Sequence, residues 1–399
     1  MTIPITKEKI ALSIVPAKNK AAKTGYIICL LFIALFFVAP LQAEAYNNPT
    51  LKVLLFQSSH PVKFSSRHPI AVIREGKVLE QATTVRISPL ASNYLRMNQN
   101  KYRRRILYLK SKDDISVYPN HSKGSRRYKG VIEIRPSGSV LSLINHLPVE
   151  TYLEGVLNAE ISTQWPIEVV KAQAVISRTF ALYKKEERSH RPWHLTSGLS
   201  DQVYKGTDIA DKRGIYAIRQ TRGIVVTYQN RLAQTFYHSN CGGVTEDASS
   251  LWEYASPYLK VLRVPYGSSD PRFEWDATLS HGEVTAIARK LGFKGSQVRL
   301  LAISELSPSG RVSALSVNNS SSETLSAKDF RRAAGYQRIQ SLLFKVVRVP
   351  GGFYFKGKGN GHGVGLSQWS AKEMAERGYR YHEIIQYFYQ GTRLKHYWK

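Results

Sequence analysis

The sequence predicts an α+β protein, in which a β-rich N-terminal region leads into a mixed α/β domain with a substrate groove. Short runs of branched apolar residues, bounded by Ser, Pro, Gly and Asn, fill the chain to about residue 140. Beyond that point apolar residues recur at helical spacing. We therefore expect residues 1–45 to be a signal peptide, residues 46–140 to form the β-rich region and residues 141–399 to form the mixed domain.

The N-terminus has the layout of a secretory signal. Five lysines precede an apolar stretch from Tyr26 to Val38, and the small residues around Ala43 and Ala45 follow it. This layout predicts cleavage after Ala45. The alternative is an uncleaved membrane anchor, although the apolar run is shorter than the ~20 residues that a spanning helix needs. Both interpretations place the folded part outside the cytoplasm, in the periplasm or cell wall.

Charge and cysteine content restrict the partners. The chain carries 57 Lys and Arg against 29 Asp and Glu, a formal charge of +28. Such a charge on an exported protein favours an anionic cell-wall or membrane surface as partner. Nucleic acid fits the charge but not the compartment. Without the signal Cys241 is the one remaining cysteine, so no internal disulfide is expected.

Four segments before residue 140 predict strands. They are LKVLLF (51–56), PIAVI (69–73), RILYLK (105–110) and GVIEIR (130–135). The basic clusters at 101–105 and 123–129 are interpreted as solvated hairpin ends that add long-range attraction to a polyanion.

Two helices are predicted after Pro148. The first carries apolar residues from Tyr152 to Ile161 on one side, with Glu150 and Glu154 on the other. Trp165-Pro166 interrupts the pattern, and proline suits the first position of a second helix from Ile167 to about Glu187.

The helix break places one carboxylate beside two cations. Glu160 ends the first helical pattern, and Lys171 and Arg178 share a face of the second with small alanines. One interpretation is a groove for a polar, weakly anionic substrate. The other is that both cations extend to water from a helix edge, and the pattern alone does not separate the two.

Three later strings carry chemistry-bearing residues. They are DQVYKG (201–206), FYHSNCGG (236–243) and GKGNGHGVGLSQW (357–369). Glycines around His362 let backbone approach a ligand, and the helix that follows offers free amide donors. A Cys241–histidine catalytic pair and a buried inert cysteine are both open.

Taken in order, these blocks resemble the SpoIID/LytB (stage II sporulation protein D) family, over roughly Tyr128 to Tyr397. The matching blocks are YKGVIEIR (128–135), LPVETYLEGVLNAE (147–160), WPIEVVKAQAVISRTFAL (165–182), DQVYKG (201–206), TRGIVV (221–226), YHSNCGGVTE (237–246), PYLKV (257–261), GHGVGLSQWSAKEMAERGY (361–379) and IIQYFYQGTRL (384–394).

The resemblance implies an exported cell-wall protein. Family members studied as enzymes are lytic transglycosylases that cleave peptidoglycan glycan strands, preferably strands stripped of stem peptides, and others enhance a peptidoglycan amidase. The family's catalytic acid falls on Glu160, and its important helix residues fall on Lys171 and Arg178. The remaining residues predicted to bind substrate are Gln173, Tyr204, His238, Ser239, His362 and Gln368.

A single-glutamate mechanism makes demands on the site. Glu160 must first give a proton and then take one, so we expect an apolar setting, such as Trp165 or Leu157 could give, to raise its pKa. Lys171 and Arg178 are expected to bind the substrate and not to pair with Glu160. The alternatives are a non-catalytic binder of denuded glycan that recruits or enhances an amidase, and an adhesin for anionic surfaces.

The chain departs from the family at a zinc site. Some relatives bind zinc through a His and two Cys just before the Q-V-Y string, whereas here that stretch offers His190, His194 and Asp201. We therefore expect no metal and no cofactor.

Overall fold

A computed structural model describes residues 48–398, except 91–93, 120–123 and 253–254. The predicted signal peptide lies outside the described residues. Among those described, no helix is long and apolar enough to cross a membrane.

An eleven-stranded sheet forms the first half of the molecule. Its strands are β1 (Thr50–Ser58), β2 (Val62–Arg74), β3 (Lys77–Pro89), β4 (Tyr94–Met97), β5 (Asn100–Arg103), β6 (Leu107–Lys110), β7 (Ile115–Tyr118), β8 (Arg126–Tyr128), β9 (Val131–Ser137), β10 (Val140–Pro148) and β11 (Leu195–Thr196). Their order is β11-β1-β10-β9-β6-β2-β3-β4-β5, and β7 pairs with β2 and β8. All four predicted strand segments fall on strands of this sheet. Residue 140, where the sequence suggests a boundary, is the first residue of β10.

Alternation explains why these segments form strands. In β1, Leu51, Val53 and Leu55 are buried and the residues between them are not, as a half-buried strand requires. The strand pairs antiparallel with β10 and parallel with β11. Because β11 follows the helices in the chain, this pairing joins the sheet to the helical part.

The helices lie beside this sheet. They are α1 (Val149–Glu154), α2 (Leu157–Glu160), α3 (Ile167–Glu187), α4 (Lys212–Gln220), α5 (His281–Lys290), α6 (Ala327–Ala334), α7 (Gln368–Glu376) and α8 (Tyr381–Phe388). The helix α3 has the predicted span and contacts α1, α4, α7 and α8. Short 3₁₀ helices occur at Gly206–Ile209 and Ala248–Ser250.

One predicted helix is two. The pattern from Tyr152 to Ile161 breaks at Gly155, where the chain closes on the Tyr204 ring, so that a Cβ at this position would collide with it. Because of this break, α2 is a separate short helix and not a continuation of α1. Glu150, which the sequence pattern places opposite the apolar side of the first helix, is buried as well.

The remaining strands form smaller sheets. They are β12 (Ile224–Tyr228), β13 (Arg231–Leu232), β14 (Tyr237–His238), β15 (Glu274–Ser280), β16 (Leu301–Leu306), β17 (Val312–Val317), β18 (Ser320–Ser326), β19 (Phe344–Val349), β20 (Gly352–Lys358), β21 (Leu366–Ser367) and β22 (Arg393–His396). Their orders are β13-β12-β22, β14-β21, β15-β20-β19 and β16-β17-β18.

Two hydrophobic cores result. One joins the large sheet to α1–α3 and to the C-terminal helices. The other lies within residues 275–355, between two antiparallel three-stranded sheets and the helices α5 and α6. The α+β class predicted from the sequence is confirmed.

Candidate active site around Glu160

Glu160 is the last residue of α2, where the chain leaves the helix. Ile161 is extended (φ −139°, ψ 163°), and its N–H still donates to the Leu157 carbonyl. Pro166 then precedes α3, because its fixed φ suits a helix start. The predicted break therefore exists, and it presents the glutamate side chain at a helix end.

Distant segments meet around this helix end. The parallel pair β14–β21 sets Tyr237 beside Leu366 and His238 beside Ser367. From the next residue, the Gln368 Nε2 donates to the Glu160 carbonyl and to the Gln173 Oε1, each at 3.2 Å. The glycine-rich loop is thereby fastened to the backbone that carries Glu160.

A cavity of about 270 Å³ opens at Glu160. Most of its lining is aromatic or apolar, with two carboxylates among it. The lining residues are Glu160, Phe180, Leu199, Ser200, Asp201, Val203, Phe236, Tyr237, Trp252 and His362. A larger surface cavity, about 620 Å³, lies between the end of α3 and the β12–β13–β22 sheet, and it holds none of the predicted site residues.

The Glu160 carboxyl is set to hold a proton. Its Oε1 accepts the Val203 N–H at 2.7 Å. Burial raises its pKa above the ordinary 4.5, while hydrogen bonds from Val203 and Tyr237 and the distant Lys205 charge partly oppose the rise. Burial outweighs these because, among the described residues, no cation forms an ion pair with the carboxyl. The pKa direction is that expected from the sequence, although the aromatic wall comes from other residues than Trp165 and Leu157.

A buried polar chain lies behind Glu160. The Tyr152 hydroxyl donates to the Gln202 Oε1 at 3.3 Å, and the Gln202 Nε2 donates to the Tyr237 hydroxyl oxygen at 3.1 Å. Burial raises the pKa of Tyr237 well above 10, so this phenol stays protonated. Since its oxygen already accepts from Gln202, its own proton is available for Glu160.

His362 stands at the cavity as a neutral ring. Its Nδ1 accepts the Val364 N–H at 3.1 Å, so its Nε2 carries the proton and donates to the Tyr237 carbonyl at 2.9 Å. Burial lowers its pKa to about 4. Gly361 has φ +116°, and a Cβ there would lie 2.7 Å from the His238 Cβ. The loop conformation that places His362 therefore depends on glycine.

The structure differs from the sequence prediction for the two cations. Arg178 is 0% exposed and binds Glu150 through two contacts, Nε to Oε1 at 3.0 Å and Nη2 to Oε2 at 2.8 Å. Lys171 pairs with Glu168 at 2.9 Å, outside the cavity lining. Neither pairs with Glu160. The Arg178 guanidinium is held by Glu150 and is not among the residues that line the cavity, so in this position it supports the fold, and its contact with substrate stays a prediction.

The other predicted substrate residues lie behind the cavity. Tyr204 is buried between the Tyr152 and Tyr128 rings and donates to Asn145 at 2.9 Å. Gln173 and Gln368 are buried against each other. The His238 Nδ1 faces the Val364 carbonyl at 3.1 Å, and the Ser239 carbonyl accepts the Trp369 N–H. Of the predicted residues, Glu160 and His362 line the cavity.

Sequence reasoning missed most of the cavity wall. Phe180 belongs to α3, Leu199 and Val203 flank Asp201, and Trp252 follows the 3₁₀ turn at Ala248–Ser250. A signal existed for Phe236 and Tyr237, which directly precede His238 in a block that the sequence singled out. Nothing local marks Trp252, because it meets Phe236 only through tertiary packing.

The two histidines considered as zinc ligands have different environments. The His194 Nδ1 accepts the Lys52 N–H at 3.1 Å, and burial lowers the pKa of this ring to about 4. His190 is exposed. Across the described part of the chain, no group of three His, Cys, Asp or Glu side chains is placed to hold a metal ion. Cys241 is buried, with its Sγ 3.8 Å from the Ser370 Oγ.

Fold and site together define an α+β protein with a candidate active-site cavity around a partly buried glutamate. Residues 137–228 match the family model described as stage II sporulation protein, and residues 256–365 match a domain of unknown function (DUF8618). An uncharacterized protein of Brachyspira hyodysenteriae is 30% identical over 271 residues, which cover 68% of this chain and 73% of that protein. The stage II sporulation protein D of Bacillus subtilis is 30% identical over 268 residues, which cover 63% and 75%. This chain belongs to the stage II sporulation protein D family.

A relative with a different name also matches a large part of this chain. The amidase enhancer of Bacillus subtilis is 28% identical over 294 residues, which cover 61% of this chain but only 40% of the enhancer. The family resemblance drawn from the sequence is thus confirmed, and it includes both kinds of named protein.

Proposed function

We propose that this protein is a lytic transglycosylase that cleaves peptidoglycan glycan strands, with Glu160 as its acid and then its base. The observation that carries the proposal is the Glu160 carboxyl itself. It is mostly buried, has a raised pKa, forms no ion pair within the part of the chain that the structure describes, and faces a cavity with aromatic walls. A carboxyl whose pKa is raised keeps its proton to a higher pH than an ordinary glutamate does, which suits general acid catalysis.

The reaction needs one proton carrier. Glu160 donates its proton to the glycosidic oxygen as the bond from that oxygen to C1 of the muramic residue breaks. The carboxylate then takes the proton of the 6-hydroxyl of the same sugar as that oxygen bonds to C1. The product is a 1,6-anhydro-muramic end, no water is consumed, and Glu160 recovers its proton.

The setting supports a denuded glycan strand as the substrate. Aromatic faces such as those of Phe236 and Trp252 suit the apolar faces of sugar rings, and the formal charge of +28 favours an anionic wall. We further propose that the chain is exported, so that it meets this polymer outside the cytoplasm.

Mass analysis of reaction products tests the proposal. Peptidoglycan stripped by an amidase is incubated with the wild type, with Glu160→Gln and with the matched control Glu154→Gln. Glu154 is an α1 residue that pairs with Lys129 at 2.7 Å, outside the cavity. We expect anhydro-muramic ends from the wild type and the control, and none from Glu160→Gln. Reducing ends labelled from ¹⁸O-water would instead show hydrolysis and reject the transglycosylase.

A second candidate is a non-catalytic binder of denuded glycan that enhances an amidase. The relative named amidase enhancer favours it. Under this function Glu160→Gln retains both glycan binding and any stimulation of an added N-acetylmuramoyl-L-alanine amidase. Under the enzymatic proposal the same variant binds glycan but forms no anhydro product. The comparison with the wild type separates the two candidates, because only under the enzymatic proposal does the wild type form an anhydro product that Glu160→Gln loses.

A further inference from the structure

We propose that the Asp201 carboxylate is a second substrate contact in the cavity, where it accepts a hydrogen bond from the acetamido N–H of a glycan sugar. The inference rests on the proposed function in one respect, namely that an N-acetylated glycan is the ligand. It goes further by naming which part of the sugar lies in the cavity and which atom recognises it.

Asp201 has one occupied oxygen and one unoccupied oxygen. Its Oδ2 accepts three hydrogen bonds, from the Arg188 Nη1 at 3.0 Å, from the Thr196 N–H at 2.8 Å and from the Thr196 hydroxyl at 2.9 Å. Its Oδ1 is buried and has no hydrogen-bond partner among the described residues. The side chain is 1% exposed, and Asp201 is among the residues that line the cavity at Glu160.

The three donors on Oδ2 fix the direction of Oδ1. A carboxylate held on one oxygen by a guanidinium, an amide and a hydroxyl cannot turn without breaking all three bonds. Native proteins satisfy nearly every buried polar atom, because an unsatisfied one costs free energy. We take the unsatisfied oxygen of this cavity-lining residue as the acceptor for a donor that a ligand supplies.

The neighbouring surface indicates the chemistry of that donor. The Phe236 and Trp252 rings stack at 4.3 Å with an interplanar angle of 14°, and Phe180 lies edge-on to Phe236. Leu199, at the rim, is 85% exposed. An acetamido group offers an N–H donor next to a methyl group, which matches an acceptor beside apolar walls. A carboxylate of the glycan would instead be repelled by Asp201.

Among the described residues, the hydrogen bonds of the Asp201 side chain do not involve Oδ1. Its contacts to Arg188 and Thr196 organise the loop entirely through Oδ2. A metal is not supported, because the described residues place no three suitable ligands together. The His362 ring, which also lines the cavity, has both of its nitrogens hydrogen-bonded to backbone groups.

A substitution that inverts hydrogen-bonding polarity tests the inference. In Asp201→Asn, the three donors require the amide oxygen at the Oδ2 position, so the NH₂ group takes the Oδ1 position and an acceptor becomes a donor. The full chain with Glu160→Gln, which stops cleavage, serves as the reference. Asp270→Asn is the matched control, because Asp270 is a buried carboxylate bonded to Asn240 and lies outside the cavity.

Two ligands are compared by calorimetry. One is a tetrasaccharide of alternating N-acetylglucosamine and N-acetylmuramic acid, and the other is its analogue with 2-O-acetyl esters, which lacks the N–H but retains the shape. We expect the reference and the Asp270→Asn control to bind the amide at least about tenfold more tightly than the ester, since the ester leaves a buried acceptor unsatisfied. We expect Asp201→Asn to lose or reverse that preference.

Each outcome decides the inference. Unchanged affinities for both ligands in folded Asp201→Asn overturn it. If Asp201→Asn does not fold, equal affinity of the reference protein for amide and ester overturns it, and a preference for the amide supports it. Because binding is measured without catalysis, a lost preference in Asp201→Asn supports the inference even where the wild type yields no anhydro product and the lyase proposal fails.

Discussion

Two glutamates ten residues apart, Glu150 and Glu160, have opposite environments. Glu150 is buried against Arg178, with both of its oxygens bonded to the guanidinium and Oε1 also accepting the Gly223 N–H at 3.0 Å. Glu160 accepts hydrogen bonds from the Val203 N–H and from Tyr237, and no cation of residues 48–398, as far as they are described, pairs with it. A carboxylate neutralised by arginine stabilises the fold, whereas one that is desolvated without a cation retains its proton and can transfer it. The partner, and not the burial, separates the structural acid from the candidate catalytic acid.

Replacing each acid in turn should give the largest difference between the two glutamates. We expect Glu160→Gln to lower the rate of anhydro-muramic product formation by about 10²–10⁴-fold, because it removes the only proton carrier of the reaction. Glu150→Gln should leave the rate per folded molecule unchanged. Rates are measured by mass analysis of the products and divided by the folded fraction. If Glu150→Gln lost as much rate per folded molecule as Glu160→Gln, the proposed division of roles would be wrong.

Loss of the ion pair of Glu150, the structural acid, should instead lower the free energy of unfolding. We expect Arg178→Met to lower the free energy of unfolding by about 3–5 kcal/mol, because it leaves Glu150 buried without its cation. Urea unfolding followed by circular dichroism measures the change. The double variant Glu150→Gln/Arg178→Met should recover part of the loss, since no uncompensated charge remains. A fully stable Arg178→Met that no longer binds glycan would instead support the substrate contact suggested by the family.

The pH dependence of stability should differ between the acids. Burial favours the protonated form of Glu160, so its folded-state pKa lies above the ordinary 4.5. Between these two values the folded state binds more protons than the unfolded state, and stability falls as pH rises. We expect Glu160→Gln to be more stable than the wild type at neutral pH, with the gap closing as pH approaches 4.5. Thermal unfolding across pH measures this gap, and a gap that widened on acidification would contradict the proposed environment.

Tyr237 offers a smaller adjustment of the same acid. Its hydrogen bond lowers the pKa of Glu160 against the effect of burial, so Tyr237→Phe should raise that pKa further. We expect the alkaline limb of the pH–rate profile to move upward by about one unit or less, which corresponds to one hydrogen bond. Tyr204→Phe is the control, because the Tyr204 hydroxyl bonds Asn145 and not Glu160. An equal movement in both variants would show a general effect on packing.

Lys171→Ala should have the smallest effect. Lys171 forms an i,i+3 pair with Glu168, and both side chains are partly exposed. We expect a loss of less than about 1 kcal/mol in the free energy of unfolding, with cleavage unchanged. Measured loss of glycan affinity at unchanged stability would restore Lys171 as a substrate contact and extend the site beyond the cavity.

Much of the fold could be predicted because its signals are local. Alternating apolar residues in β1 and the proline before α3 act within a few residues, and both elements formed where the sequence predicted. The split between α1 and α2 was missed, since Gly155 breaks the helix through its contact with Tyr204, fifty residues further along the chain. The burial of Glu150 was missed for the same reason, because its partner Arg178 lies 28 residues further along the chain.

The structure likewise places some of the predicted site residues at the cavity and others in the core. Residue order and family blocks pointed to Glu160 and His362, which line the cavity, but also to Tyr204 and Gln173, which are buried behind it. Side chains within one block share a sequence pattern even where one faces the cavity and the next faces the core. Which of them faces the cavity depends on how α3, β14 and β21 pack, and no single segment encodes that packing.

By itself, the sequence determined the α+β class, the span of α3, the family and the position of Glu160 at a helix end. These follow from local periodicity, proline geometry and the order of short blocks. Only the tertiary structure decided that Arg178 neutralises Glu150 and leaves Glu160 without a cation, and that Asp201 holds one oxygen unsatisfied at the same cavity. The physical reason is that protonation and hydrogen bonding depend on burial and on partners distant in the chain, which only the packed molecule brings together.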